Sequence, residues 1–310
     1  MKITDRKKHF SRVRTCAQRH IRRHVRGHIQ KHIPILNVLK RSSGATGFSI
    51  ILLFVIMAVL APIIAPHSFV QQDIIHKLQG PSANYIFGTD QLGRDIFSRL
   101  VYGSRIAFET AIPSVSIALV SGIALGMAAG YIGGIFDNII LVIINSLQAF
   151  PSIILALTIL ALLGPSLTNV IIVIGVTWTP GYARVVRAQV LSEREKPYVL
   201  AERSLGASDP RILISHILPN IISPVLILAA MDLPWVITFE AGLSFLGLGV
   251  KPPTPSWGAV LSDGFSFIWQ SPWPIIWSGL FLCLTALGFT LFGEALRDEF
   301  DPKTSERVPK

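Results

Sequence analysis

Apolar runs of about twenty residues recur along this chain, roughly the length an α-helix needs to cross ~30 Å of hydrocarbon. They lie near Gly47–Ala65, Ala107–Ile132, Ile139–Leu163, Thr168–Val186, Ile221–Gly249 and Pro274–Phe292. Lipid offers the backbone no hydrogen-bond partners, so each run must satisfy its own N–H and C=O groups as a helix. Composition agrees, with 51% hydrophobic and 15% charged residues in a chain of 310. The reading is an all-α integral membrane protein with six transmembrane helices.

Charge is distributed very unevenly. Residues 1–41 hold thirteen Lys and Arg against one acid, Asp5, a balance of +12 within an overall +10. Beside a first span, such a segment sets orientation by the positive-inside rule, which places the N-terminus in the cytoplasm. Contact with lipid headgroups is the economical use of this charge, and no nucleic-acid partner is expected. Six spans then return the C-terminus to the same side. The expected organisation is a basic N-terminal segment over 1–45, a six-helix body over 46–300 and a short tail over 301–310. Because the first apolar run begins so deep, it is expected to remain as an anchor.

Within the basic segment Cys16, His20, His24, His28 and His32 recur every four residues. Histidines so spaced share a helix face and pairs of them can ligate a metal. A four-residue period drifts around a helix, however, and a basic amphipathic helix on a membrane surface explains the pattern without an ion. No metal site is assigned. Cys16 and Cys283 lie in different environments, so no disulfide is expected.

Residues 66–104 read as an extracytoplasmic loop, with Asp90, Arg94, Asp95 and Arg99 available to pair. In the second span Ser114, Ala118, Gly122, Gly126, Gly130 and Gly134 form a small-residue stripe that serves either a gate or close helix packing. Asn145 and Gln148 in the third span, and Asp232 and Glu240 in the fifth, are polar groups at membrane depth. Such groups mark a translocation pathway or a partnered structural site. Pro180-Gly181 is expected to bend the fourth span.

The long polar interruption over 190–220 must leave the bilayer, and topology puts it in the cytoplasm. Within it YVLAERSLGASDPRILISHILPN reads as two short helices around Gly206, which can adopt the left-handed conformation that ends a helix. Ser208 or Asp209 can cap the second helix, with Pro210 at its opening. Leu205, Ala207, Ile212 and Leu213 keep the bend apolar although it faces water.

This stretch resembles the coupling loop of ABC-importer permeases, a Glu-Ala-Ala triplet, three residues, Gly, nine residues, then Ile-x-Leu-Pro. Gly206 falls on the glycine and Leu200, Ala201 and Glu202 on the triplet; His216, Leu218 and Pro219 fall on the end. Leu200, Glu202 and His216 depart from the pattern. Two further runs, FGTDQLGRDIFSRLVYGSR and EAGLSFLGLG with KPPTPSWG, resemble dipeptide and oligopeptide importer permeases. The resemblance implies a type I ABC importer permease fold in the cell inner membrane. It also implies a second homologous permease, two ATP-binding subunits and an extracytoplasmic substrate-binding protein as partners. In that assembly Ala201, Glu202, Leu205, Gly206 and Ala207 meet the ATPase, and Pro219 joins the lever to the fifth span. Family substrates include dipeptides, oligopeptides, glutathione and nickel or its chelates.

No Gly-x4-Gly-Lys-Ser/Thr phosphate loop, His-Glu-x-x-His or Gly-x-Ser-x-Gly occurs. The chain is therefore not expected to be an enzyme or to hold a cofactor, ATP and Mg²⁺ belonging to partner ATPases. A stand-alone transporter using Asp232 or Glu240 as a proton site is the competing class; it demands internal repeats that are not seen.

Overall fold

Residues 38–300 are described by a computed structural model, and every regular element among them is a helix. The His-patterned segment and the tail over 301–310 lie outside the described residues. The first run forms α1 (Ser42–Val59), followed by the short α2 (Ala61–Ile64) with Pro62 at its opening.

α3 (Ile96–Ile132) has 37 residues, about 55 Å of helix and far more than the hydrocarbon requires. Residues 96–104 are thus its first turns and not loop, a correction to the sequence reading. The cause is Asp95, whose carboxylate accepts the Ser98 N–H at 2.9 Å and caps the helix well before the apolar run begins.

The expected third span is also corrected. It is two helices, α4 (Gly134–Gln148) and α5 (Ser152–Leu163), bent by 87°. Pro151 has no N–H to donate and disfavours helical backbone at Phe150, so the first helix stops and a second starts. Asp137 in the first turn of α4 takes two hydrogen bonds from Arg187, at 2.5 and 2.6 Å, near the far end of α6 (Leu167–Glu193). α5 ends at Gly164, beside the start of α6. The bent pair runs along α6 and, counted as one span, brings the candidate crossings among the described residues to six.

α6 itself continues through Pro180 and Gly181 without a break. α7 (Pro197–Ser204) precedes α8, which runs 37 residues from Asp209 to Phe245. α9 (Trp257–Phe265) and α10 (Trp273–Phe300) complete the fold. Arg41, just before α1, meets Asp298 of α10 at 3.0 Å, so the first and last helices begin and end together.

α3 and α6 share the tightest seam. A methyl group on Gly126 would lie 2.6 Å from the Ala183 carbonyl oxygen, and one on Gly175 would lie 2.7 Å from Ile117. Side chains at those positions would force the backbones apart. The small-residue stripe from Ser114 to Gly130 is buried helix packing; Gly134 opens α4, with φ of +59° and open space around it.

At the opposite end from Gly206, a buried ionic cluster binds the 66–95 segment to α9. Asp90 accepts from Arg94 Nε at 2.6 Å and Arg99 Nη1 at 2.5 Å, and both arginines reach Asp263 at 3.0 Å. The Trp257 indole N–H donates to the Leu100 carbonyl at 2.9 Å. The paired carboxylates and guanidiniums compensate each other's loss of water. Nearby, a hydrogen bond from His76 holds the exposed Asp73 carboxyl below the ordinary carboxylate range.

Candidate functional site

The bend at Gly206 begins with α7, where Pro197 occupies an opening position and Leu205 ends the helix. Gly206 follows with φ of +80°, the left-handed region that a Cβ disfavours. Ser208 then stands at the start of α8 without bonding the helix through its side chain, and Pro210 lies in the first turn. The sequence expectation for a helix, a glycine turn and a second helix matches this local structure.

Two features were not expected. The second helix does not end before the fifth span; it is the same helix, continuous from Asp209. A π turn over Ile212–Ile217 widens the backbone just ahead of Pro219. Proline lacks the N–H for the normal bond and its ring crowds the previous turn, and a wider turn relieves both.

The apolar residues of the bend divide by side. Val199, Ile212 and Ile217 are fully buried, anchoring the two helices on each other and on the bundle. Leu205 is 82% exposed, and Leu200 of α7 and Ile214 of α8 are exposed too. Ala201, Gly206 and Pro219 are exposed too, whereas Glu202 and Ala207 are half-buried. Glu202 lies 3.8 Å from His216, so two residues that depart from the family pattern face each other.

Polar contacts tie this bend to the long helices. The Tyr131 hydroxyl, at the end of α3, donates to Asp209 at 2.6 Å. Arg203 of α7 donates to the same hydroxyl at 3.4 Å, its guanidinium 5.7 Å from the ring centroid. On the other side Tyr198 donates to Glu193 at 2.6 Å and accepts from Asn220 at 3.2 Å. Burial and the Glu193 carboxylate push the Tyr198 phenol up to about 12, so it remains a neutral donor. Arg194 reaches the Gly130 carbonyl at 2.8 Å. The Tyr131–Asp209 contact and the part of Arg203 in it escaped the sequence reading, which offered Asp209 only as a helix cap, because Tyr131 and Asp209 are 78 positions apart.

The polar groups of the spans are scattered. Asn145 accepts from Arg184 at 3.1 Å, and both Asn145 and Gln148 are exposed on α4. Glu240 is 2% exposed and accepts from Ser244 at 2.6 Å, so it is sealed inside the chain and faces no open pathway. Asp232 is half-buried on α8. Among the described residues no group of three or more His, Cys, Asp or Glu is arranged to hold a metal.

Residues 122–306 match the family described as binding-protein-dependent transport system inner membrane component. Residues 37–81 match the N-terminal transmembrane domain of oligopeptide transport permease C. The dipeptide transport system permease protein DppC of Alkalihalophilus pseudofirmus is 41% identical over 264 residues, 85% of this chain and 87% of that protein. The nickel transport system permease protein NikC of Escherichia coli K12 is 39% identical over 230 residues, covering 74% and 83%. The glutathione transport system permease protein GsiD of Pectobacterium atrosepticum is 41% identical over 225 residues, covering 73% and 75%. A chain of the inward-facing MetNI methionine ABC transporter superposes with a TM-score of 0.54 at 19% identity, covering 66% of this chain and 97% of that one. That likeness shows the ABC importer permease fold. With five to six helical spans and these matches, the chain belongs to the binding-protein-dependent transport system inner membrane component family and is a multi-pass inner-membrane permease.

Proposed function

We propose that this chain forms half of the translocation pathway of an ATP-driven importer of di- or oligopeptides, coupled to ATPase subunits through the bend at Gly206. The observation that carries this reading is the exposed apolar knuckle of Leu200, Leu205 and Ile214 on a helix pair hydrogen-bonded to α3, α6 and α8. Apolar side chains held out on a braced bend favour a protein partner over water. Closure of that partner would push α7, and α8 would carry the push across the membrane as one continuous lever.

In this reading the Gly206 end is cytoplasmic, as are both termini. The loop over 190–220 couples and 66–104 faces outward. Six basic against four acidic residues between Arg184 and Arg211 support that side. Leu200, Ala201, Glu202, Leu205, Gly206 and Ala207 meet the ATPase, and Pro219 rides in the lever. A second homologous permease supplies the other half of the pathway, two ATP-binding subunits carry ATP and Mg²⁺, and an extracytoplasmic binding protein delivers substrate. Asn145, Gln148 and Asp232 line or approach the pathway, while Glu240 is structural. The peptide substrate rests on the names of DppC and other relatives, and the NikC and GsiD matches keep nickel and glutathione as the alternative cargo. The proton-coupled alternative built on Asp232 and Glu240 gives way to family membership.

Purification of the tagged chain in mild detergent tests this. Recovery of a second six-span permease, Walker-motif ATPases and a binding protein whose ligand is a peptide is the expected result. A chain recovered alone that transports without ATP overturns it.

A further inference from the structure

Asp232 stands near the middle of α8, about 20 Å of helix from Phe245, where an unpaired carboxylate is costly. The other ionisable groups within the bundle interior are satisfied: Glu240 by Ser244, and Asp137 by Arg187. Asp232 forms no ion pair among the described residues, and the group facing it is the Tyr182 hydroxyl of α6. Tyr182 is 1% exposed, and its hydroxyl is buried with no partner within hydrogen-bond geometry. It is held there by close packing against Gly122 of α3. One turn away Ser121 and Thr179 share a hydrogen bond of 2.7 Å. A half-buried acid and an unused phenol therefore face each other between α6 and α8, within the apolar span.

We infer that Asp232, oriented by Tyr182, receives a cationic group of the transported solute at the midpoint of the pathway. This rests on the importer reading above and names the recognition chemistry within it. A peptide carries an amino-terminal ammonium and the nickel ion is itself a cation, so one carboxylate suits either source. A carboxylate at mid-depth offsets the cost of bringing such a charge through low dielectric, and a neutral site does not. Tyr182 can donate to the carboxylate while the solute is absent and turn it towards the pathway when the solute arrives.

The test uses the full complex in proteoliposomes, with ATP-dependent uptake of labelled dialanine, of an alanine pentapeptide, of glutathione and, separately, of nickel ion. Asp232→Asn is expected to lower uptake of whichever solute the wild type carries by about tenfold, the size of one lost charged contact. Asp232→Glu should recover most of it, and Tyr182→Phe should fall between. Co-purification of all subunits should be the same for every variant. Uptake by Asp232→Asn within twofold of wild type overturns the inference. So does an Asp232→Asn complex that fails to assemble, since Asp232 would then be pairing with a partner subunit. A wild type that carries none of these solutes defeats the importer reading and this inference with it, whereas a working wild type with an indifferent Asp232→Asn defeats this inference alone.

Discussion

The Tyr131 hydroxyl donates a 2.6 Å hydrogen bond to the Asp209 carboxylate, joining the last turn of α3 to the first turn of α8. Two helices of 37 residues each are thereby latched at one end, where Arg203 of α7 joins the same contact. Hydrogen bonds to a charged group contribute about 1.5–3 kcal/mol. Tyr131→Phe should leave α7 looser on the bundle while the six spans persist. The expected outcome is a several-fold drop in solute carried per ATP hydrolysed by the assembled transporter. An unchanged ratio denies the latch a part in coupling.

Gly206 has φ of +80° and nothing within 4 Å of where a Cβ would sit. A substitution there meets no neighbour in the chain and costs about 1–2 kcal/mol of left-handed strain. Gly206→Leu should therefore express and reach the membrane, yet transport poorly, because its bulk stands on the surface assigned to the ATPase. Normal uptake by this variant would contradict that assignment.

Gly126 and Gly181 make a contrasting pair. Gly126→Leu drives a side chain into the Ala183 carbonyl and Val186 across the α3–α6 seam, with an expected loss of about 1–3 kcal/mol or more. Gly181→Ala, in α6 with nothing within 4 Å, should be neutral or stabilising by up to about 1 kcal/mol. Thermal unfolding in detergent reads both; equal midpoints would show that the seam tolerates separation.

Asp90→Ala removes the acceptor of two buried arginines and leaves Arg94 and Arg99 sharing Asp263 alone. Breaking a buried pair from one side costs about 3–5 kcal/mol. Limited proteolysis should then cut within 66–95 at protease levels the wild type withstands. Resistance equal to wild type would mean the cluster is dispensable for holding that segment.

Much of this architecture is written locally. Runs such as Pro274–Phe292 are long and apolar enough that lipid leaves them one conformation, and residues 197–210 carry their own stop and start signals in Pro197, Gly206 and Pro210. The three quoted motifs led to the family, and the matches over 122–306 and 37–81 agree. Less legible was the extent of each helix. Residues 96–104 read as loop because they carry a charge, Arg99, whose pairing with Asp90 and Asp263 is visible only after folding. The break at Pro151 was available in principle, but a proline in a membrane run is equally compatible with an unbroken helix, as Pro180 shows.

The sequence by itself determined that the chain is a membrane protein of apolar helical spans with a glycine bend between the fourth and fifth, because span length, charge and turn chemistry are local quantities. Tertiary structure alone decided what each polar side chain does. It buried Glu240, left Asp232 facing Tyr182 of α6, and brought Tyr131 of α3 to Asp209. The physical reason is that a polar group's role depends on which partner replaces its water, and those partners come from distant helices.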